Sequence, residues 1–241
     1  INTASIEGTV RSETPYYDPW APAILLASFT NQGRIDGGFS AGTQRFANSG
    51  SIGSTTLAGQ AVEIYQAAPL DFTNSGSIVN SGDGAAVRLY AQDTLAIANS
   101  GQITGGGIDG EVVTREPVEG ATAPAPAIVM TNAGTISATG DDPAAAVALV
   151  VSNYARLQTS SVTLDNSGTI EAGMAGGAAL SISTSGRLTD TDVESSTVTI
   201  TNSGTIRANG GGIAYVQNDF FPSMSCHNTL ALQYILRQKS A

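Results

Sequence analysis

The chain has 241 residues, a net charge of -10 and only 12% charged residues, and Lys239 is its one lysine. That balance repels phosphate backbones and anionic lipid headgroups, which sets aside nucleic-acid binding and a membrane-surface role. The longest apolar run, Ala144 to Val151, is strand-sized and far short of the roughly 18 residues of a membrane span, so no membrane insertion by this segment is expected.

A lone cysteine, Cys226, cannot close an intramolecular disulfide. Gly, Ser, Thr, Asn, Ala, Val and Ile dominate, which is the profile of many short strands joined by tight turns. The chain starts at Ile1 with no basic-then-apolar leader and reads as a processed or excised piece of a longer protein.

Residues 1–23 include Arg11 to Pro22, a stretch with three prolines and three aromatics, among them the one tryptophan, Trp20. This stretch is expected to fold over the first coil as an N-terminal cap, because an open strand edge otherwise invites association.

From residue 24 to 217 a seven-residue pattern recurs: a large apolar residue, any residue, Asn, a small residue, Gly, any residue, Ile. Its copies are Phe29 to Ile35, Phe46 to Ile52, Phe72 to Ile78, Ile97 to Ile103, Met130 to Ile136, Leu164 to Ile170 and Ile200 to Ile206. The invariant asparagines are Asn31, Asn48, Asn74, Asn99, Asn132, Asn166 and Asn202, and the invariant glycines are Gly33, Gly50, Gly76, Gly101, Gly134, Gly168 and Gly204. Successive asparagines are 17, 26, 25, 33, 34 and 36 residues apart, so the motif is constant while the spacer is free. Hairpins would need antiparallel partners of matched length; a solenoid with a shared core and variable loops needs none.

A second element alternates apolar and polar residues before most copies: Val62/Ile64, Val87/Leu89, Val147/Leu149/Val151 and Leu180/Ile182 each mark one buried strand face. The fold class predicted is all-β, a right-handed parallel β-helix with three sides and about seven to nine coils. The glycines are expected at corners that need positive φ. The asparagine amides should stack into a ladder that satisfies buried polar groups. The first apolar residue and the Ile of each copy should form two core columns. Tyr65 and Tyr90 fall at equivalent positions in successive coils, as do Glu63 and Arg88, and are expected to pair across strands on the outer face.

The spacers carry the candidate binding loops. The largest insertion is expected at Thr104 to Pro126, with Asp109, Glu111, Glu116 and Glu119; further loops are Ser152 to Ser161 and Thr184 to Thr197, the latter with Asp190, Asp192 and Glu194. The Gly105 to Gly110 stretch and Asp83 partly match calcium-binding glycine-rich nonapeptides, but the match does not recur at nine-residue spacing, and no metal site or cofactor is assigned. No catalytic residue is assigned either: His227 adjoins Cys226, and sequence neighbours do not face each other on a strand or helix. Asp141, Asp142, Asp190 and Asp192 are the carboxylates an enzyme acting on glycans would use, with Tyr154 and Arg156 among the few exposed candidates for sugar contact. From residue 218 to 241 the composition shifts abruptly, which marks either a C-terminal cap or a non-native tail.

The repeated NSGTI and NSGSI units, in an acidic chain with almost no cysteine or lysine, resemble the passenger regions of bacterial autotransporters and related β-helical surface proteins. The resemblance covers roughly residues 24–217. It implies export to the outer surface of a Gram-negative cell and a membrane barrel elsewhere in the parent protein, and does not choose among the family's activities. The expected function is that of a secreted, surface-exposed passenger segment in adhesion, self-association or as a stalk, with a host surface, a glycan or a second copy as partner. The competing expectation is a polysaccharide-active hydrolase or lyase using loop carboxylates.

Overall fold

The computed structural model describes residues 1–11, 26–54, 59–65, 68–82, 84–114, 125–139, 145–153, 160–173, 178–186, 196–208 and 215–218. All regular elements among them are strands, and they pair in parallel into three sheets of eight, eight and seven strands. Among the described residues seven windings contribute one strand to each sheet and the winding before them contributes to two, which makes a three-sided parallel β-helix of eight described windings.

The sheet that ends on the motif asparagines, here the ladder sheet, runs from Phe29–Asn31 through Arg45–Asn48, Leu70–Asn74, Thr94–Asn99, Ala127–Asn132 and Ser160–Asn166 to Ser196–Asn202. In this sheet Phe29, Phe46, Phe72, Ile97, Met130, Leu164 and Ile200 lie in register. The Phe46 and Phe72 rings stack at 5.3 Å with planes 1° apart. Past the turn comes the isoleucine sheet, from Ser5–Ile6 to Thr205–Ala208, where Ile6, Ile35, Ile52, Ile78, Ile103, Ile136, Ile170 and Ile206 form one column. The third, alternating sheet runs from Val10–Arg11 to Tyr215–Asn218 and buries Val62, Ile64, Val87, Leu89, Val147, Leu149, Val151, Leu180 and Ile182. The three sets of inward side chains meet in one continuous core.

The asparagine ladder is continuous. Nδ2 of Asn31 donates to Oδ1 of Asn48 at 2.8 Å, and the same bond links Asn48 to Asn74, Asn74 to Asn99, Asn99 to Asn132, Asn132 to Asn166 and Asn166 to Asn202 at 2.7–2.8 Å. Each inner asparagine also donates weakly to the carbonyl of its own motif glycine. Its backbone carbonyl accepts from the two turn amides of the next winding, as Asn74 does from Ser100 and Gly101.

The motif glycines are needed for a reason other than the one expected. Positive φ at a glycine is found at Gly8, Gly38, Gly105 and Gly107, and at none of Gly33, Gly50, Gly76, Gly101, Gly134, Gly168 and Gly204. What forbids a side chain at these seven is the winding beneath. A Cβ on Gly101 would sit 2.1 Å from the carbonyl oxygen of Gly76, and the other six meet the same obstacle at 2.0–2.1 Å. That oxygen already accepts the amide of the residue after the next winding's glycine, as Gly76 does from Gln102.

Two sequence-based boundaries move. The winding begins within residues 1–23, where Ser5–Ile6 pairs with Arg34–Ile35 and Val10–Arg11 with Phe39–Ser40. Asn2 there extends the ladder, donating to Asn31 at 2.8 Å. At the other end Tyr215–Asn218 still pairs with the alternating sheet. Residues 12–25, with Trp20, and 219–241, with Cys226 and His227, lie outside the described residues, so neither cap is described.

Two substitutions check the corner. Gly101→Ala must push two windings apart and is expected to cost about 1–3 kcal/mol or more by overpacking, whereas Ser100→Ala, at a position where the Met130 copy already carries Ala133, should stay within about 0.5 kcal/mol. Asn99→Ala orphans ladder partners on both sides, at about 1–3 kcal/mol for each buried group left unpaired, and should cost more than Asn202→Ala at the ladder's end. Denaturant midpoints of the four variants read both orders.

Candidate functional site

Inside the solenoid most described positions are committed to the core or the ladder, and buried polar side chains outside both, such as Ser54, Asn80, Thr114 and Asn153, sit at strand ends, so the larger groupings of charged and aromatic side chains are on outward positions. The densest described group is on the outer face of the alternating sheet. Val62–Tyr65, Val87–Gln92 and Ile108–Thr114 lie side by side, with Glu63, Arg88 and Asp109 in one row and Tyr65, Tyr90 and Glu111 in the next. Alternation decides the rows: Val62, Ile64, Val87, Leu89, Ile108 and Val112 point into the core, so their neighbours must point out.

The Tyr65 and Tyr90 rings stack at 4.9 Å, 17° from parallel. The Tyr65 hydroxyl donates to Glu63 Oε1 at 2.7 Å, and the Ser40 hydroxyl donates to Glu63 Oε2 at 3.1 Å. Partial burial first, then donation to Glu63, pushes the Tyr65 phenol well above its ordinary value. Arg88 Nε meets Asp109 Oδ2 at 3.2 Å, with both side chains about one-third exposed. Glu111 is half-buried. Its carboxyl is pushed up by burial and then by the neighbouring Asp109 charge, against opposing hydrogen bonds from Tyr90 and Ser152 and the charge of Arg88.

Asp109 and Glu111 are therefore strand residues and not part of a loop. The expected insertion at Thr104 begins instead with Gln102–Gly105 in the isoleucine sheet, followed by a corner at Gly105 to Gly107 and the strand Ile108–Thr114. Gly105 and Gly107 take φ of 113° and 74° there, and a Cβ on Gly107 would fall 2.1 Å from the carbonyl of Ala146. The glycine run that partly matched a calcium loop is accounted for by this corner. Likewise, Thr184 belongs to Leu180–Gly186, and Ser152 to Val147–Asn153. Glu116, Glu119, Asp190, Asp192 and Glu194 lie outside the described residues, as do Asp83, Asp141, Asp142, Tyr154 and Arg156. Among the described residues no group of three or more His, Cys, Asp or Glu could hold a metal ion, and no helix is long and apolar enough to cross a membrane.

A second outward feature lies over the ladder. Thr73, Ala98, Ser100, Thr131, Asp165 and Ser167 line a shallow recess of about 160 Å³ whose floor includes Asn99 and Asn132. That is below the roughly 300–1,000 Å³ of sites that enclose a small molecule. With its hydroxyls and one carboxylate, it offers surface hydrogen bonding.

The sequence reading missed Asn2 and the role of Glu111. Asn2 could have been found from Asn2 to Ile6, which match the last five positions of the motif with Ala4 where glycine stands elsewhere. Glu111 could have been found from the alternation Ile108-Asp109-Gly110-Glu111-Val112, which continues the pattern of the two preceding windings.

The raised Glu111 carboxyl has a sign. A folded-state value above the unfolded one gives stability that is complete below the unfolded value and lost as pH rises through the folded one. Glu111→Gln should thus melt higher than the parent at pH 7, and the difference should vanish as pH falls below the carboxylate range; equal melting temperatures at pH 7 would show that the charge carries no penalty.

Compared with protein-family profiles, curated proteins and solved structures, the chain matches none of them.

Proposed function

We propose that this chain is a secreted, surface-exposed passenger segment that acts in adhesion, self-association or as a structural stalk. The observation that carries the reading is the unbroken stack. Eight windings in register make a stiff unit about 34 Å long at roughly 4.8 Å per step. Its described sides turn mostly polar or small side chains outward, with Val79, Val129 and the Tyr65–Tyr90 pair among the exceptions. A rod of this kind holds a surface away from its point of attachment and repeats the same spacing along its length. Its stability comes from stacked side chains and not from a disulfide, since Cys226 has no second cysteine to pair with. The acidic surface and the NSGTI-type repeats, similar to those of autotransporter passengers, support an outer-surface location on a Gram-negative cell. The partners proposed are a host surface, a glycan or a second copy.

One observation favours a second reading, that of a polysaccharide-active hydrolase or lyase. Glu111 is held toward its protonated form two residues from Asp109 on the same strand face, with two tyrosines and Arg88 alongside. A carboxylic acid next to an ion-paired carboxylate is a pairing that acid–base cleavage of a glycoside uses.

One experiment separates the two. Beads coated with the chain are incubated with host-cell monolayers, with glycan-coated surfaces and with chain-coated beads, while the soluble chain is incubated with neutral and acidic polysaccharides and followed by new reducing ends and unsaturated-sugar absorbance. Retention or bead clustering without cleavage is the expected result. Cleavage by the parent that Glu111→Gln abolishes would replace the first reading with the second.

A further inference from the structure

Tyr65 and Tyr90 are direct partners in the parallel register of Val62–Tyr65 with Val87–Gln92, so both rings leave the sheet on the same side at the strand spacing. The rings lie 4.9 Å apart, 17° from parallel. Both residues are partly exposed, which leaves them open to a small solute. Each phenol also meets a carboxylate. The Tyr65 hydroxyl donates to Glu63 Oε1 at 2.7 Å, and the Tyr90 hydroxyl donates to Glu111, the next residue in its row. The Ser40 hydroxyl, donating to Glu63 Oε2 at 3.1 Å, holds the first of these carboxylates in place.

This arrangement suits one-electron oxidation. A phenol gives up an electron readily only when its proton leaves with it, because the protonated radical is a far stronger acid than the phenol itself. The transfer needs an acceptor within about 2.6–3.2 Å, and Glu63 stands inside that range. The phenol of Tyr65 is pushed well above its ordinary value, which closes the other route, through a phenolate formed beforehand. Two phenoxyl radicals held side by side then couple with each other in preference to diffusing solutes, because the stack has already supplied the encounter.

We propose that Tyr65 and Tyr90 form an oxidative cross-linking site, where a peroxide acting through a heme peroxidase joins the two rings as a dityrosine. Each phenol gives one electron to the oxidant and one proton to its carboxylate, which passes it to water. A carbon–carbon bond forms between one Cε of each ring, beside the carbon that bears the oxygen. The hydrogen on each of these Cε atoms leaves as a proton while the oxygen takes one up, which restores both phenols. The chain loses two hydrogen atoms in all, and one peroxide becomes two waters. The product ties one winding covalently to the next in a chain whose Cys226 has no second cysteine to pair with. The site is independent of the adhesive reading.

The test treats the dilute full chain with hydrogen peroxide and a heme peroxidase, isolates the monomer and reads its tryptic peptides by mass spectrometry. Cleavage after Arg88 puts the two tyrosines on separate peptides, Phe46 to Arg88 and Leu89 to Arg115, each with no other tyrosine. The cross-link therefore appears as these two peptides joined, lighter than their sum by two hydrogens. It should form several times more slowly in Glu63→Gln, whose amide still accepts the Tyr65 hydroxyl but is a far weaker base; melting temperatures confirm that this variant is folded. The cross-linked chain should melt higher than the untreated one, because the loop between residues 65 and 90 stays closed when it unfolds. Absence of the joined peptide would overturn the proposal. So would an equal yield from chain digested before the oxidation, or an unchanged rate in Glu63→Gln.

Discussion

One hydrogen bond, from the amide of an asparagine to the same amide one winding away, sets the geometry of the whole chain. It has an optimal length that matches the separation of strands in a sheet, so the side chains and the backbone require the same rise. A slip of one residue in any strand would break the bond, and it would also turn a core face toward solvent. Register is thus specified twice, once by a polar corner and once by the apolar columns. The corner can be polar and buried only because the ladder is complete: each inner asparagine gives its amide protons to a neighbour and to nearby carbonyls, and receives one in return.

The same closeness that makes the bond possible removes the space for a side chain next to it. Glycine at the corner follows from the asparagine, because windings near enough for an amide-to-amide bond bring one turn's carbonyl to the next turn's α-carbon. The spacers feel neither constraint. Steps of 17 to 36 residues between asparagines are compatible with one ladder because loop-closure cost grows slowly with length. Conservation of the corner and freedom of the spacers therefore come from one cause.

Much of this was legible because the repeat repeats its reasons. Asn, Gly and Ile recur together in seven copies, and only stacking brings equivalent residues into contact across variable spacers. The glycine was read correctly as necessary, yet for a local backbone reason, since one sequence shows a residue's own conformational freedom and hides what sits beneath it. Ile108–Thr114 was hidden by its surroundings: a glycine run before it and Gly110 within it look like loop, although Gly110 takes an inward position beside Leu95 and Leu149. The first winding was hidden because Ala4 breaks the pattern at the residue that defines it. The cluster around Glu111 was least legible. Its members come from windings 21 to 25 residues apart, and their pairing depends on register that exists only after the stack has formed.

A fold determined from the inside leaves its outside free, and the outward rows show that freedom. The column before the ladder reads Thr30, Ala47, Thr73, Ala98, Thr131, Asp165 and Thr201, while the row through Glu63 passes from acid to base to acid. Nothing in the core or the ladder requires these identities, so a change at such a position alters what the surface presents without altering how it is held. Selection for a ligand would act there, on small patches set at fixed intervals. The cluster of Glu63, Tyr65, Arg88, Tyr90, Asp109 and Glu111 has the density of charge and ring surface that such a patch needs. It also illustrates the limit on any site this fold can build from strands alone: neighbouring side chains stand parallel at the sheet spacing and do not converge on a point. Convergence has to come from a loop that folds over the face, which places the decision between binding and catalysis in the spacers that join the strands.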